Sequence, residues 1–437
     1  MQNLLRKASQ LGFLIALLCA GSMWFYVQCV LIPHERADAA MHQRPRGNLS
    51  DLYPRWWGAR ELLLHQRNPY AEDITLEIQK GYYGRVLDPA RPDDPKDQQS
   101  FAYPVYVVFL LAPLIGFPFE GVQIFFYWLL LGLTAASVWL WLRVLRWRLP
   151  LSSSAICVVL TLGSFAAVQG IKLQQLSLLV AALLAGATAC AARGLLFSGG
   201  VLLALATVKP QLSGPLVAWL LVWAASDWRA RRRLVYGFGM VMGLLLGGAE
   251  VVLPGWWRMF ADAVENYHRY TQNQSVLDVL APWGYSGRVL AGVAVLACVY
   301  VLWKLRDKTA DTGEFGTATA LVMSLTVLVV PMYAPYNQVL LLPALLVLAR
   351  DRARFLFRSR SWRWSYLLGA LLLGWQWAAS LNLSACYLVG ARSWALEHWT
   401  LPFFSTFAVP VWIFALNFLV VKTSGSETEE HSFGKAS

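Results

Sequence analysis

Two residues of this 437-residue chain stand out as able to do chemistry: Asp51 and Lys209. Asp51 precedes Leu-Tyr-Pro-Arg-Trp-Trp-Gly-Ala-Arg-Glu-Leu-Leu-Leu-His, in which Pro54 suits a first helical turn because its fixed φ is helical and its missing N–H is no loss there. Residues 54–66 alternate Trp56, Trp57 and Leu62 to Leu64 with Arg55, Arg60, Glu61 and His65, the pattern of an amphipathic helix lying at a membrane interface. An aspartate just before such a helix has two readings. It caps the helix, a role for which Asp is among the preferred residues, or it is a general base, an acceptor-only carboxylate able to take a hydroxyl proton. The positive helix end favours the charged carboxylate and lowers its basicity.

Lys209 falls between two apolar runs, and an ionisable residue near membrane depth is costly enough to count as a functional candidate. Its bland alternative is snorkelling to the interface. Lys172, in a neighbouring turn, is a weaker candidate of the same kind. Arg55, four residues after Asp51, suits the same cavity, a simple salt bridge or a lipid headgroup. In the stretch 254–288, His268, Arg269 and Asn273 are candidates for phosphate or sugar contacts, with Trp256 and Trp257 as interface anchors. Asp93, Asp94 and Asp97, set among Pro92, Pro95 and Lys96, read as a solvated loop rather than a metal site.

The elements that position these residues follow from composition. The chain is 57% hydrophobic and 14% charged, with a mean hydropathy of +0.47, whereas a soluble chain carries roughly 25% charged residues. It is an integral membrane protein. The excess of 37 Lys and Arg over 25 Asp and Glu therefore bears on sidedness rather than on nucleic acid. Cysteines 19, 29, 157, 190, 298 and 386 lie mostly in apolar runs without metal-like spacing, and read as small hydrophobes.

The first apolar run, Leu11 to Ile32, exceeds the about 7–15 residues of a signal h-region, so it reads as a retained helix with a cytoplasmic N-terminus. Pro104 to Phe117 is shorter than the about 20 residues of a span and reads as re-entrant. Further runs lie at 121–142, 151–170, 175–192, 194–208, 211–225, 234–253, 287–303, 316–332, 336–349, 364–383 and 402–421. The expectation is an all-α polytopic protein of about twelve helices with both termini inside. Its parts are a first helix (1–33), an outer loop (34–103), a membrane core (104–350), C-terminal spans (351–421) and a disordered tail (422–437). Polar residues collect on the outer side, which suits an enzyme acting on lipid-borne substrates there.

Asp51-Leu-Tyr-Pro-Arg-Trp-Trp-Gly, then Asn68-Pro69-Tyr70, then Phe101-Ala102-Tyr103-Pro104, resembles the opening of glycosyltransferase family 87. The resemblance continues through Gln174-Gln175-Leu-Ser, Gly199-Gly200 to Lys209-Pro210, and Asn273-Gln274-Ser275, covering about 48–350. The chain departs from the family where its mannosyltransferases carry W-x-H-H: the late outer turn here reads Tyr333-Ala-Pro-Tyr336-Asn337.

The resemblance implies a C-type glycosyltransferase (GT-C) fold in the cell membrane. It also implies inverting transfer of a hexose from a polyprenyl-phosphate donor to a lipid-linked or envelope glycan on the outer face. It makes Asp51 the base, with no cofactor called for; the candidates for donor-phosphate or substrate binding are Lys209, Lys172, Arg55, Gln175, His268, Arg269, Asn273, Tyr336 and Asn337. No P-loop, dinucleotide fingerprint, zinc motif or Ser-His-Asp set is evident, which disfavours a nucleotide-sugar donor. The rivals are a flippase of lipid-linked glycans, which paired halves would favour, and a non-catalytic assembly protein, which loss of the base would favour.

Overall fold

The computed structural model describes residues 2–44, 50–271, 274–331 and 333–433, and among them it is all-helical, without a strand. α1 (Gln2–Tyr26) passes through one π-helical turn, Val27–Leu31, into α2 (Ile32–Met41). The segment after α2 folds as α3 (Tyr53–His65) and α4 (Glu72–Tyr83), and the short apolar run as α5 (Val107–Leu111). The core follows as α6 (Phe119–Val144), α7 (Leu151–Leu162), α8 (Phe165–Lys172), α9 (Leu176–Ala192), α10 (Leu196–Leu205), α11 (Pro210–Ser226) and α12 (Trp228–Val252). After α13 (Trp256–Thr271) and α14 (Val276–Leu280) come α15 (Ser286–Leu305), α16 (Gly313–Val329) and α17 (Leu342–Arg350). The chain ends with α18 (Arg352–Arg358), α19 (Arg360–Leu388), α20 (Arg392–Glu397) and α21 (Ala408–Phe433).

Among the described residues five helices are long and apolar enough to cross a bilayer, or six if α7 and α8 form one span. The expected twelve are not all of that kind. α9 and α16 have 17 residues each, and other helices surround them so fully that nearly every residue of α16 is buried. The run 151–170, expected as one span, is instead bent by 56° between α7 and α8. The bend has identifiable causes: a side chain at Gly163 would overlap Ala20 of α1, and Ser164 caps α8 by accepting from the Ala167 N–H at 3.3 Å. The backbone groups freed at the break are met from α19, where Trp377 donates to the Gly163 carbonyl (2.7 Å) and Gln376 accepts from the Phe165 N–H (2.7 Å).

Two more expectations change. α3 begins and ends within a residue of its predicted place, but its aromatic side is covered by protein: Tyr53 and Trp56 are buried, each with its ring against Phe119 (centroids 5.0 and 5.2 Å). The helix backbone also continues to Phe433, past Lys422 where an unstructured tail was expected, since each added residue gains one backbone hydrogen bond.

Helices α10 and α12 approach closely through two glycines. A side chain at Gly200 would overlap the Leu234 carbonyl, and one at Gly237 the Phe197 carbonyl, so the pair packs as small-residue membrane interfaces do. At the far end of α11 from Lys209, Arg231 is buried and donates to the carbonyls of Trp223 (2.8 Å), Arg306 (2.9 Å), Asp307 (3.1 Å) and Lys308 (3.2 Å). It locks the α11–α12 corner to the α15–α16 turn. Gly200→Val should therefore lower the thermal midpoint of the detergent-solubilised protein by several degrees, overpacking costing about 1–3 kcal/mol. Gly243→Ala, which meets nothing within 4 Å, should leave it unchanged; equal losses for both would show that this close approach is not what holds the pair.

Candidate active site

The turn between α8 and α9 organises the site. Gln174 takes a left-handed backbone conformation (φ 48°) and its amide donates to the carbonyls of Ile171 (2.7 Å) and Lys172 (2.9 Å), closing α8. The next residue, Gln175, precedes α9 with its side chain free to point away from both helices. The same turn holds the aspartate: the Leu173 carbonyl accepts from the Asp51 N–H (3.0 Å) and from the Ser50 hydroxyl (3.2 Å).

Asp51 does not cap α3. The capping position is Leu52, and no side chain caps the helix. The carboxylate instead accepts from the Gln175 amide and, at 3.4 Å, from the Tyr82 hydroxyl. Burial and the Asp51 charge push the Tyr82 phenol well above its usual range, which keeps it a donor.

Lys209 reaches the same place from the other side. Only 4% of it is exposed, and its ammonium donates to Ser177 Oγ (2.7 Å) and Gln175 Oε1 (3.2 Å) and lies 5.3 Å from the centroid of the Tyr336 ring. Snorkelling is excluded by this burial. Ser177 in turn donates to Asn337 (2.8 Å). Gln175 thus spans the two charges, its carbonyl on the lysine and its amide N–H on the aspartate.

Arg55 completes the basic side. One guanidinium nitrogen donates to the Asp51 carbonyl (2.7 Å), the group lies 4.4 Å from the centroid of the Tyr103 ring, and its buried Nε has no partner among the described residues. Two motif tyrosines hold this wall. Tyr70 donates to the Tyr103 carbonyl at 2.6 Å and sets its ring edge-on to Phe101, while Asn68 accepts from the Tyr70 N–H at 3.0 Å. Tyr106 ties the far side to the Thr207 carbonyl (3.0 Å), two residues before Lys209.

Asp51, Arg55, Gln175, Lys209, His268, Tyr336 and Asn337 line one cavity of about 580 Å³, roofed by α13 through Phe260, Val264 and Tyr267. Two other candidates are not brought there. Lys172 pairs with Glu35 of α2, and Arg269 lies exposed on α13, paired with Glu265. Asn273 lies outside the described residues.

The acidic loop is not simply solvated. Arg85 grips Asp94 and holds its carboxyl at about 2. Asp97 lines the cavity beside Asp51 and accepts from the Gln99 N–H (2.9 Å) and amide (3.0 Å). Asp97, Tyr103 and Tyr82 are site residues that residue-type reasoning passed over. For Tyr103 the available signal was its place within the Phe101-Ala102-Tyr103-Pro104 motif; for Tyr82 and Asp97 there was none, since local sequence could not show that α4 and the loop fold back onto the site. Among the described residues no group of three or more His, Cys, Asp and Glu side chains is placed to hold a metal ion.

Burial pushes the Asp97 carboxyl above the usual carboxylate range; the Gln99 N–H works against this, and the Asp51 charge adds to it. A raised folded-state value means a contribution to stability that is complete below the unfolded value, about 3.9, and lost as pH rises through the folded one. Asp97→Asn should therefore raise the thermal midpoint relative to wild type at pH 7 and leave it nearly equal at pH 3.5. A lower midpoint for the variant at pH 7 would mean that the fold favours the charged form.

The sequence model of glycosyltransferase family 87 matches residues 101–331, just over half of the chain, from the Phe101-Ala-Tyr103-Pro wall to the Pro331 edge of the cavity. Asp51 lies N-terminal to the matched stretch. No curated protein and no solved structure matches the chain. On the extent of that match, around a cavity its own segments build, the chain belongs to glycosyltransferase family 87.

Proposed function

We propose that this membrane glycosyltransferase takes a hexose from a polyprenyl-phosphate carrier and places it, with inversion, on a lipid-linked or envelope glycan at the outer face of the cell membrane. The observation that supports this most is the joining of Asp51 and Lys209 through Gln175 in one cavity. The acceptor hydroxyl attacks the anomeric carbon, and its proton passes to Asp51 as the new C–O bond forms. The bond from that carbon to the phosphate oxygen breaks, and its electron pair leaves on the phosphate. Lys209 and the unpartnered Nε of Arg55 meet that growing negative charge, and fixed cations act most strongly where water is scarce. The apolar wall of Phe260, Val264, Val330 and Pro331 suits the first prenyl units. On this reading the short apolar helices α9, α10 and α16 are spans too, both termini are cytoplasmic, and mannose is the hexose the family resemblance suggests.

Asp51→Asn keeps the shape of the side chain and removes its charge. Transfer should fall about 10²–10⁴-fold, while binding of farnesyl phosphate to the purified protein stays within twofold. Near-normal transfer would return Asp51 to a structural role.

Lys209→Ala should weaken farnesyl phosphate binding at least tenfold, whereas the exposed Arg232→Ala should not; Arg231 is no neutral control because it is buried and donates to four backbone carbonyls. The two charges sit at opposite ends of α11, whose 17 residues rise about 25 Å. In a cysteine-free background, Lys96→Cys should thus label with an impermeant thiol reagent in intact cells and Arg232→Cys should not. The reverse pattern would put the cavity on the cytoplasmic side.

A further inference from the structure

Asp51, Asp97 and Gln99 also line a second cavity, of about 500 Å³, on the side facing α2 and away from Lys209. Its chemistry differs from the first. Glu35 and Asp38 join Asp51 and Asp97 on its walls, Arg44 is the one guanidinium among its lining residues, and Trp399 forms an aromatic face. We infer that this second cavity is the acceptor chamber of the transferase, and that it receives the terminal, uncharged sugar of a glycan with one hydroxyl directed at Asp51. The inference rests on the glycosyl-transfer reading above.

Several observations carry it. The carboxylate proposed as base is reached from both cavities, so a hydroxyl from one can meet an anomeric carbon in the other. The chambers differ in charge: beside the shared Asp51 and Asp97, Lys209, Arg55 and Glu265 line only the first, while Glu35, Asp38 and Arg44 line only the second. Glu35 is paired with Lys172 and Asp38 with Arg44, so a phosphate or uronate would chiefly meet Asp51 and Asp97, whereas sugar hydroxyls donate to carboxylates without that penalty.

Trp399 is braced for contact. Its ring stacks on His34 (centroids 4.6 Å, 28° between planes), and its carbonyl accepts from the buried Tyr26 hydroxyl at 2.6 Å. A fixed aromatic plane of this kind suits the apolar face of a pyranose. Arg44 holds Asp38 at 3.4 Å, yet its Nε is buried without a partner among the described residues, an unmet donor on the chamber wall.

The test uses the full chain in two measurements. In a deletion strain complemented with variants, mass spectrometry reads the fraction of glycan that receives the sugar; with purified protein, farnesyl phosphate titration reads the donor side. Trp399→Ala, by loss of the aromatic face, and Asp38→Asn, by loss of a hydrogen bond to a charged group, should each lower the transferred fraction roughly tenfold or more, with unchanged farnesyl phosphate affinity. Trp399→Phe should restore most of the product, and the truncated glycan should end in an uncharged sugar.

Full transfer by Trp399→Ala and Asp38→Asn, with Asp51→Asn inactive, would overturn the acceptor chamber and leave the transferase reading standing. Loss of farnesyl phosphate binding in the Trp399 variant would overturn it as well, because the two chambers would then not be separate. A truncated glycan ending in a phosphate or uronate would overturn the substrate class. Full transfer by both Asp51→Asn and Lys209→Ala would instead remove the glycosyl-transfer reading on which the chamber rests.

Discussion

A buried ammonium must be hydrogen-bonded or it is not tolerated, and much of this site can be read as the solution to that demand for Lys209. Ser177 and Gln175 meet the charge directly, and Tyr336 offers it a ring face. Each partner comes from a different part of the chain: the α8–α9 turn, the start of α9, and the 3₁₀ turn Pro335–Leu341. Gln175 is a link that acts in two directions, since an amide accepts from a lysine with one atom and donates to a carboxylate with the other. Two opposite charges are thereby held near each other without closing into a direct salt bridge, and Asp51 lines both cavities.

The elements around this link serve it mechanically. Gln174 closes α8, the backbone of Leu173 holds Asp51, and the Asn68-Pro69-Tyr70 turn reaches over to the Tyr103 carbonyl. The Asn68-Pro69-Tyr70 motif is a brace: Tyr70 acts through the backbone of Tyr103, whose ring in turn supports Arg55. Nearby, Arg67 gathers Glu61, Asp73 and Glu77 at 2.7–2.8 Å, joining α3 to α4. Residues 50–103 are thus a folded layer on the bundle rather than a flexible connection, and such rigidity is what a positioned carboxylate requires.

The membrane bundle below supplies close packing rather than chemistry. Small residues bring α10 against α12, and the break at Gly163–Ser164 lets α8 turn so that its C-terminal end delivers Gln174 and Gln175 to the site. The bend is tolerated in an apolar surrounding because α19 side chains satisfy the exposed backbone groups.

The sequence by itself determined the class of the protein, because 57% apolar residues arranged in long runs leave no soluble alternative. It located α3 within a residue, singled out Asp51 and Lys209, and carried the family in ordered short motifs. The tertiary structure decided what local pattern cannot encode. Capping and catalysis predict the same aspartate before the same helix, and only the path of the chain past Leu173 shows the carboxylate turned away from α3. Lys172 and Lys209 look alike as lone cations beside apolar runs; Glu35, 137 residues distant in sequence, takes one of them into an ion pair and leaves the other at the cavity. Asp97 sits in a loop whose proline and lysine neighbours signal solvent, yet the fold carries it to the side of Asp51. In each case the deciding partner is distant in sequence, and long-range pairing of polar groups leaves no periodic trace in the residues that make it.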